Sequence, residues 1–203
     1  MDELSVGEAG RKHVNKNNAG YSILFESINL IIHYNLSGSH ELLGQAIALL
    51  GSFISAKDTN LLYLSLETMT RLSKIPGTAE SIKKHEAVII NILKDGDVYL
   101  RRRSLDLLFN ICDKTNSKNI VHELLANLAR SDVSIREETV LKIAILAENF
   151  ASSFKWYIDV ILKLITLAGD YLADEIWYRV IQIVTNNEEL QAYAAQRVYE
   201  VSP

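Results

Sequence analysis

The sequence predicts an all-α fold, and three observations carry that prediction. The chain of 203 residues has only two prolines and nine glycines, so long stretches run without the residues that interrupt helices. Its composition, 48% hydrophobic and 23% charged, is that of an ordinary globular protein with a sizeable core. Apolar residues also recur at helical spacing in segments of helix length.

Ten such segments follow one another, and Gly, Pro, Asn and Asp, the residues common at helix ends, stand between them. The segment 1–18 precedes the first of them, is polar and lacks the apolar centre of a secretory signal. We expect 1–18 to be a disordered polar leader and 19–203 to form the folded array. The predicted helices lie at about 20–35, 41–55, 59–74, 79–94, 97–112, 117–130, 134–149, 154–168, 172–186 and 189–200.

The chain repeats itself at a period of helical-hairpin size. The stretch "DVYLRRRSLDLLFNI" from Asp97 aligns with "DVSIREETVLKIAIL" from Asp132, 35 positions later, and weaker copies begin at Asp58 and Asp170. A period of this length is typical of stacked helix pairs. We therefore predict a right-handed α-α superhelix, a solenoid of HEAT or armadillo type with about five helical hairpins.

Both strong copies place an aspartate at the helix start and an arginine one turn later. Asp97 precedes Arg101, and Asp132 precedes Arg136. The aspartate can cap the helix, and the arginine lies on the same face. We interpret these four residues as structural rungs that join successive repeats.

The cluster of three arginines at 101–103 also raises the alternative of an anion site. Glu137 and Glu138 replace Arg102 and Arg103 in the next copy, so the additional positive charge belongs to one repeat only. A phosphate clamp is therefore the weaker interpretation. Its candidate residues are Lys83, Lys84, Arg102 and Arg103.

The later repeats carry a candidate partner surface. The helix at 97–112 has one polar stripe, but the equivalent positions one and two copies later are largely apolar. Three explanations stay open: these positions face another subunit or domain, the rest of the chain covers them, or the alignment between the copies is off by one residue. The candidate residues are Leu141, Ile145, Leu172, Ile176 and Ile183.

The sequence predicts neither an enzyme nor a cofactor or metal site. The pairs His85-Glu86 and His122-Glu123 begin like a helical zinc motif but lack its second histidine. The two Trp-Tyr pairs, at 156–157 and 177–178, are expected to pack in the core. The net charge of -4 disfavours nucleic acid as a partner, and Cys112, the sole cysteine, is expected to be a buried inert thiol.

Five long stretches carry a resemblance to a known family. They are "LFESINLIIHYN" (24–35), "LYLSLETMTRL" (62–72), "LRRRSLDLLFNICDKTN" (100–116), "SIREETVLKIAILAENFA" (134–151) and "WYIDVILKLITLAGDYLADEIWYRVIQIV" (156–184). These stretches resemble the trunk of the alpha-adaptin family, the large chains of the clathrin adaptor complex at the plasma membrane. The resemblance covers about 17–200, a middle part of such a trunk. The gamma-type large chain is the nearest alternative, but "EIWYRVIQIV" (175–184) resembles the alpha type.

The resemblance implies a non-enzymatic scaffold that works with adaptor small, medium and beta large chains. It implies that the clathrin coat and a phosphoinositide membrane are reached through the full complex rather than through this segment. The implied location is the cytoplasmic face of the plasma membrane, at clathrin-coated pits. Two alternatives stay open: another HEAT-repeat scaffold, such as a transport receptor or phosphatase scaffold, and a phosphoinositide-binding module that uses the basic cluster.

Overall fold

The computed structural model describes the backbone of residues 3–34, 40–56, 58–128 and 130–201, and the side chains of residues 18–34, 41–56, 58–128 and 130–200. In the described part, regular structure is entirely helical, which confirms the all-α class. A short 3₁₀ turn at Gly169–Tyr171 follows the ninth helix. The helices are α1 (Glu3–Tyr34), α2 (His40–Phe53), α3 (Thr59–Leu72), α4 (Ala79–Lys83), α5 (Glu86–Ile92), α6 (Val98–Ile111), α7 (Ser117–Leu128), α8 (Val133–Phe150), α9 (Phe154–Ala168), α10 (Asp174–Thr185) and α11 (Glu188–Val201).

Two of the predicted helices differ from the observed ones by more than two residues. The first helix begins at Glu3 rather than near residue 20, although the side chains of residues 1–17 lie outside the described part. The division into a leader and a folded array therefore stays a prediction. The helix predicted at 79–94 is divided into α4 and α5 by a turn at Lys84 and His85, where the sequence has neither glycine nor proline.

Side-chain caps start several helices. Asp58 Oδ1 accepts hydrogen bonds from the backbone N–H groups of Asn60 and Leu61 at 2.9 and 3.1 Å, which caps α3. Ser153 Oγ accepts from the Trp156 N–H at 3.2 Å and caps α9. Each cap satisfies a donor that the first helical turn leaves without a partner, so local chemistry fixes where these helices begin.

The chain divides into two compact units, Met1–Ile82 and Lys83–Pro203. In the first unit, α3 packs against both α1 and α2. The Phe53 ring lies 5.3 Å from the Tyr21 ring and 6.1 Å from the Phe25 ring, measured between centroids. Arg71 Nη1 of α3 donates a 2.6 Å hydrogen bond to Asn29 Oδ1 of α1, so a polar contact accompanies the apolar core.

In the second unit, helices contact both their neighbours in sequence and helices two positions away. α7 packs against α8, α8 against α9, and α10 against α11. The contacts of α6 with α8, of α7 with α9 and of α9 with α11 place these helices in two layers. Fully buried leucine and isoleucine side chains, including Leu105, Leu108 and Ile143, fill the interior. This arrangement is that of stacked helical repeats, in which each pair buries its apolar face against the next.

Candidate inter-repeat and interaction surfaces

The aspartate and arginine positions of the repeat connect α6 to α8. Asp97 Oδ1 accepts hydrogen bonds from the backbone N–H groups of Tyr99 and Leu100 at 2.7 and 3.4 Å, so it caps its own helix. Arg101 forms an ion pair and hydrogen bond with Asp132, the residue that precedes α8. The arginine of one copy is therefore joined to the aspartate of the next copy.

Asp132 and Arg136 differ from their counterparts in the preceding copy. The Asp132 carboxylate accepts no capping hydrogen bond from α8, because it is directed to Arg101. Arg136 Nη2 donates a 2.9 Å hydrogen bond to the Ser131 carbonyl. Its guanidinium carbon lies 5.7 Å from the centre of the Tyr171 ring, a cation–π contact with the start of the following repeat. The same sequence position thus bridges repeats through different chemistry.

A second polar network lies between α6 and α8. The Lys142 ammonium contacts the carboxylates of both Asp106 and Glu138, the latter at 2.7 Å. Arg102 adds a 3.2 Å ion pair with Glu138 and a 3.0 Å hydrogen bond to the Ser134 carbonyl. The Lys142 side chain is only 14% exposed. A charged group so shielded from water destabilises the fold unless it is paired with groups of opposite charge. These contacts fix one helix against the other.

The four candidate anion-binding residues are largely engaged with acidic side chains. Lys83 is paired with Asp113, and Arg102 with Glu138. Arg103 lies 3.9 Å from the Asp106 carboxylate, while Lys84 is exposed. Because carboxylates already offset most of this charge, the geometry gives a phosphate clamp at these residues little support.

The predicted partner surface includes side chains that are not at the surface. Leu141 is 51% exposed, and Ile145 and Ile176 are half-buried. Leu172 is only 8% exposed, and Ile183 packs against the buried core of Ile158, Leu190 and Ala194. Leu172 and Ile183 therefore offer a partner less surface than Leu141, and the partner surface as a whole stays a prediction.

The structure exposes an apolar groove that sequence reasoning missed. It has a volume of about 670 Å³ and is lined by α9, α10 and α11. Tyr157 of the first Trp-Tyr pair is buried as expected, but Trp177 and Tyr178 of the second pair are 37% and 71% exposed. Trp156 is half-buried. Both pairs lie among apolar residues, so the sequence alone does not show that the second pair is the more exposed. The groove residues include Trp177, Ile181, Val184, Ala195, Val198 and Tyr199.

The described residues contain no cluster of three or more histidine, cysteine, aspartate or glutamate side chains arranged to hold a metal ion. In the same part of the chain, none of the helices has both the length and the apolar character needed to cross a bilayer. Cys112 is buried, and desolvation, followed by the charges of Asp113 and Glu86, raises the pKa of its thiol to about 12. A thiol in this state is a poor nucleophile.

Helices stacked in two layers and joined by polar contacts between repeats define a helical-repeat scaffold. Residues 8–203 match the family model described as the adaptin N terminal region, and the chain belongs to this family.

Within the family, the sequence is similar to alpha-type chains. It is 52% identical over 200 residues to the AP-2 complex subunit alpha-1 of Arabidopsis thaliana, covering 98% of this chain and 20% of that protein. The AP-2 complex subunit alpha-2 of Dictyostelium discoideum is 52% identical over 92% of this chain and 19% of its own length. The AP-1 complex subunit gamma of that organism is 33% identical over 90% of this chain and 20% of its own length.

These identities support the alpha-adaptin resemblance and place the gamma type further away. The chain spans about a fifth of the length of the curated relatives it matches.

Proposed function

We propose that this chain is a scaffold segment of an alpha-type adaptor large chain. It supports assembly of the adaptor complex for clathrin-mediated endocytosis and vesicle-mediated protein transport. The observation that carries the proposal is the 52% identity, over 98% of this chain, to a subunit of the AP-2 complex. Adaptin-family proteins are structural adaptor subunits, so binding rather than turnover is the activity to test.

The geometry supports a scaffold role because it holds α6 and α8 in a fixed relation. Three ion pairs link α6 to α8 or to the residue that precedes it: Arg101–Asp132, Asp106–Lys142 and Arg102–Glu138. Linked charges that share partners resist separation more than isolated surface pairs do. A surface built on such helices keeps its shape when another chain packs against it, which lowers the cost of binding.

The partners in this proposal are the adaptor small, medium and beta large chains. Permanent interfaces of this kind commonly bury more than about 2,000 Å² in total. Leu141, on the exposed face of α8, is the predicted partner-surface residue with the most accessible side chain, and half-buried Ile145 and Ile176 extend the predicted surface. Clathrin and the phosphoinositide membrane are contacted by the full complex, at coated pits on the cytoplasmic face of the plasma membrane.

A pulldown with the whole large chain tests the proposal. An affinity-tagged full-length protein containing this segment is expected to recover small, medium and beta adaptor chains from cytosol. Recovery of gamma-type partners instead, or of no adaptor chain, would contradict the alpha-type assignment.

A matched pair of variants then tests the surface. Leu141→Asp places a charge on the proposed contact face and is expected to reduce recovery of at least one adaptor chain. Ala126→Asp introduces the same charge at an exposed position of α7 and serves as the control. Equal recovery with both variants, while circular dichroism shows an intact fold, would remove Leu141 from the interface.

A further inference from the structure

A small cleft between α7 and α9 gathers positive charge at a place unrelated to the arginine cluster of α6. The cleft has a volume of about 140 Å³ and is lined by side chains of both helices. Lys118 and His122 lie one turn apart on α7, and Lys163 extends from α9. Two lysines and a histidine thus border one opening.

These three side chains differ from most cations of the second unit. Within the described residues, Lys118, His122 and Lys163 have no ion pair and no side-chain hydrogen bond, whereas Arg101, Arg102 and Lys142 are matched to carboxylates. Their donors are available to a ligand without breaking an existing contact. Lys118, His122 and Lys163 are also exposed, so a ligand in solution reaches them.

The acidic groups beside the cleft are already neutralised. Asp159 lines it, but its carboxylate accepts hydrogen bonds from the Tyr193 hydroxyl at 2.7 and 2.8 Å and from Arg197 Nε at 2.8 Å, both on α11. Glu123, next to His122, forms a 3.2 Å ion pair with Lys94. The net charge around the cleft therefore remains positive, although the chain as a whole has a net charge of -4.

The apolar lining of the cleft strengthens the attraction of these cations for an anion. Trp156, Val121, Leu125 and Val160 line it with apolar surface, which reduces the screening that water gives to nearby cations. Lysines and a histidine supply the donors that phosphate oxygens accept.

We propose that Lys118, His122 and Lys163 form a binding site for one phosphate group. The group is either a free phosphate or the exposed phosphate of a lipid headgroup, because both present the same oxygens. The site goes beyond the proposed scaffold function and does not depend on it, so the adaptor pulldown and the phosphate experiment fail or succeed separately.

Nuclear magnetic resonance titration of the 203-residue chain with inorganic phosphate, at constant ionic strength, tests the site. Saturable shifts are expected at the amides of Lys118, His122 and Lys163. The double variant K118Q/K163Q removes two donors and is expected to weaken phosphate binding at least about tenfold. The matched double variant K74Q/R130Q removes the same charge at two exposed positions elsewhere and is expected to leave the affinity unchanged.

Vesicles identify the source of the phosphate. Phosphatidylcholine vesicles carrying phosphatidic acid, which exposes a phosphomonoester, are compared in sedimentation with vesicles carrying phosphatidylserine at equal surface charge. Preference for phosphatidic acid that is lost in K118Q/K163Q assigns the site to a lipid headgroup. Saturable binding of inorganic phosphate without that preference assigns it to a free phosphate. Absence of localised shifts, or equal weakening in both double variants, overturns the proposal.

Discussion

Arg101 of α6 and Asp132, the residue preceding α8, form an ion pair across 31 positions of sequence. The Arg101 side chain is 14% exposed and that of Asp132 is 56% exposed. The pair therefore has a shielded cation and a solvated anion, and it joins two consecutive copies of the repeat.

Removing this pair is expected to destabilise the chain more than removing an exposed pair. Arg101→Ala should lower the free energy of unfolding by about 1 kcal/mol or more, because the change also removes packing along the shielded arginine stem. Arg179→Ala, which breaks a 3.1 Å pair with Glu148 between half-exposed side chains, should cost about 0.5 kcal/mol or less. Urea denaturation measures both. A double-mutant cycle of Arg101 and Asp132 with no coupling would show that the pair does not stabilise the array.

The cap at Asp97 should be separable from the ion pair. Asp97→Ala removes the acceptor for the Tyr99 and Leu100 N–H groups and is expected to cost about 1 kcal/mol. Asp97→Asn retains an acceptor oxygen and should cost much less. Thermal unfolding followed by circular dichroism compares the two variants. If both lose the same stability, the negative charge rather than the hydrogen bonds is responsible.

Acid should weaken the fold partly through Asp113. Its hydrogen bond to Lys83, and then that to Thr115, hold the pKa of this carboxyl well below its usual value of 3.8. A carboxyl with a lowered pKa in the folded state stabilises the fold above its unfolded pKa, and this stabilisation is lost as the pH falls towards the folded pKa. The decline is therefore expected below about pH 4.

The measurement is the urea midpoint at pH 7 and pH 3. The midpoint of Asp113→Asn should fall less between the two pH values than that of the unmodified chain. Glu137→Gln, an exposed change on α8, is the control and should behave like the unmodified chain. If the midpoint of Asp113→Asn falls between the two pH values as far as that of the unmodified chain, the Asp113 carboxyl does not contribute to the loss of stability in acid.

Cys112 should react with alkylating reagents only after unfolding. Burial, followed by the charges of Asp113 and Glu86, raises its pKa to about 12, so little thiolate exists at pH 8. Iodoacetamide labelling followed by mass spectrometry is expected to be slow in the native chain and fast in urea. Ala126→Cys, at an exposed position, provides a rapidly labelled reference. Equally fast native labelling at both cysteines would contradict the buried position of Cys112.

The sequence predicted the helical class and most helix boundaries because both depend on local features. Asp58 and Asp97 are recognisable as caps from their place before an apolar pattern, and the structure gives both of them capping hydrogen bonds. The division between α4 and α5 had no such signal, since Lys84 and His85 are compatible with a continuous helix.

The candidate surfaces were less predictable. Asp132 has the same sequence context as Asp97, but its carboxylate bonds to Arg101 instead of to its own helix. Alignment with the polar stripe of α6 makes Leu172 and Ile183 candidates for a partner surface and leaves open that the rest of the chain covers them. A small change in the rotation of a helix about its axis places an aligned position inside the core, and the repeat pattern does not record that rotation.

The sequence by itself determined the cap at Asp97 and the apolar face of each helix, because both depend on residues within one or two helical turns. It also showed the repeat period, through the copy that begins at Asp132. Only the tertiary structure decided which carboxylate receives Arg101 and which Trp-Tyr pair is exposed. It alone also brought Lys118 and Lys163 to one cleft. Those outcomes depend on how each helix is rotated and spaced against helices distant in sequence, and no local pattern encodes that geometry.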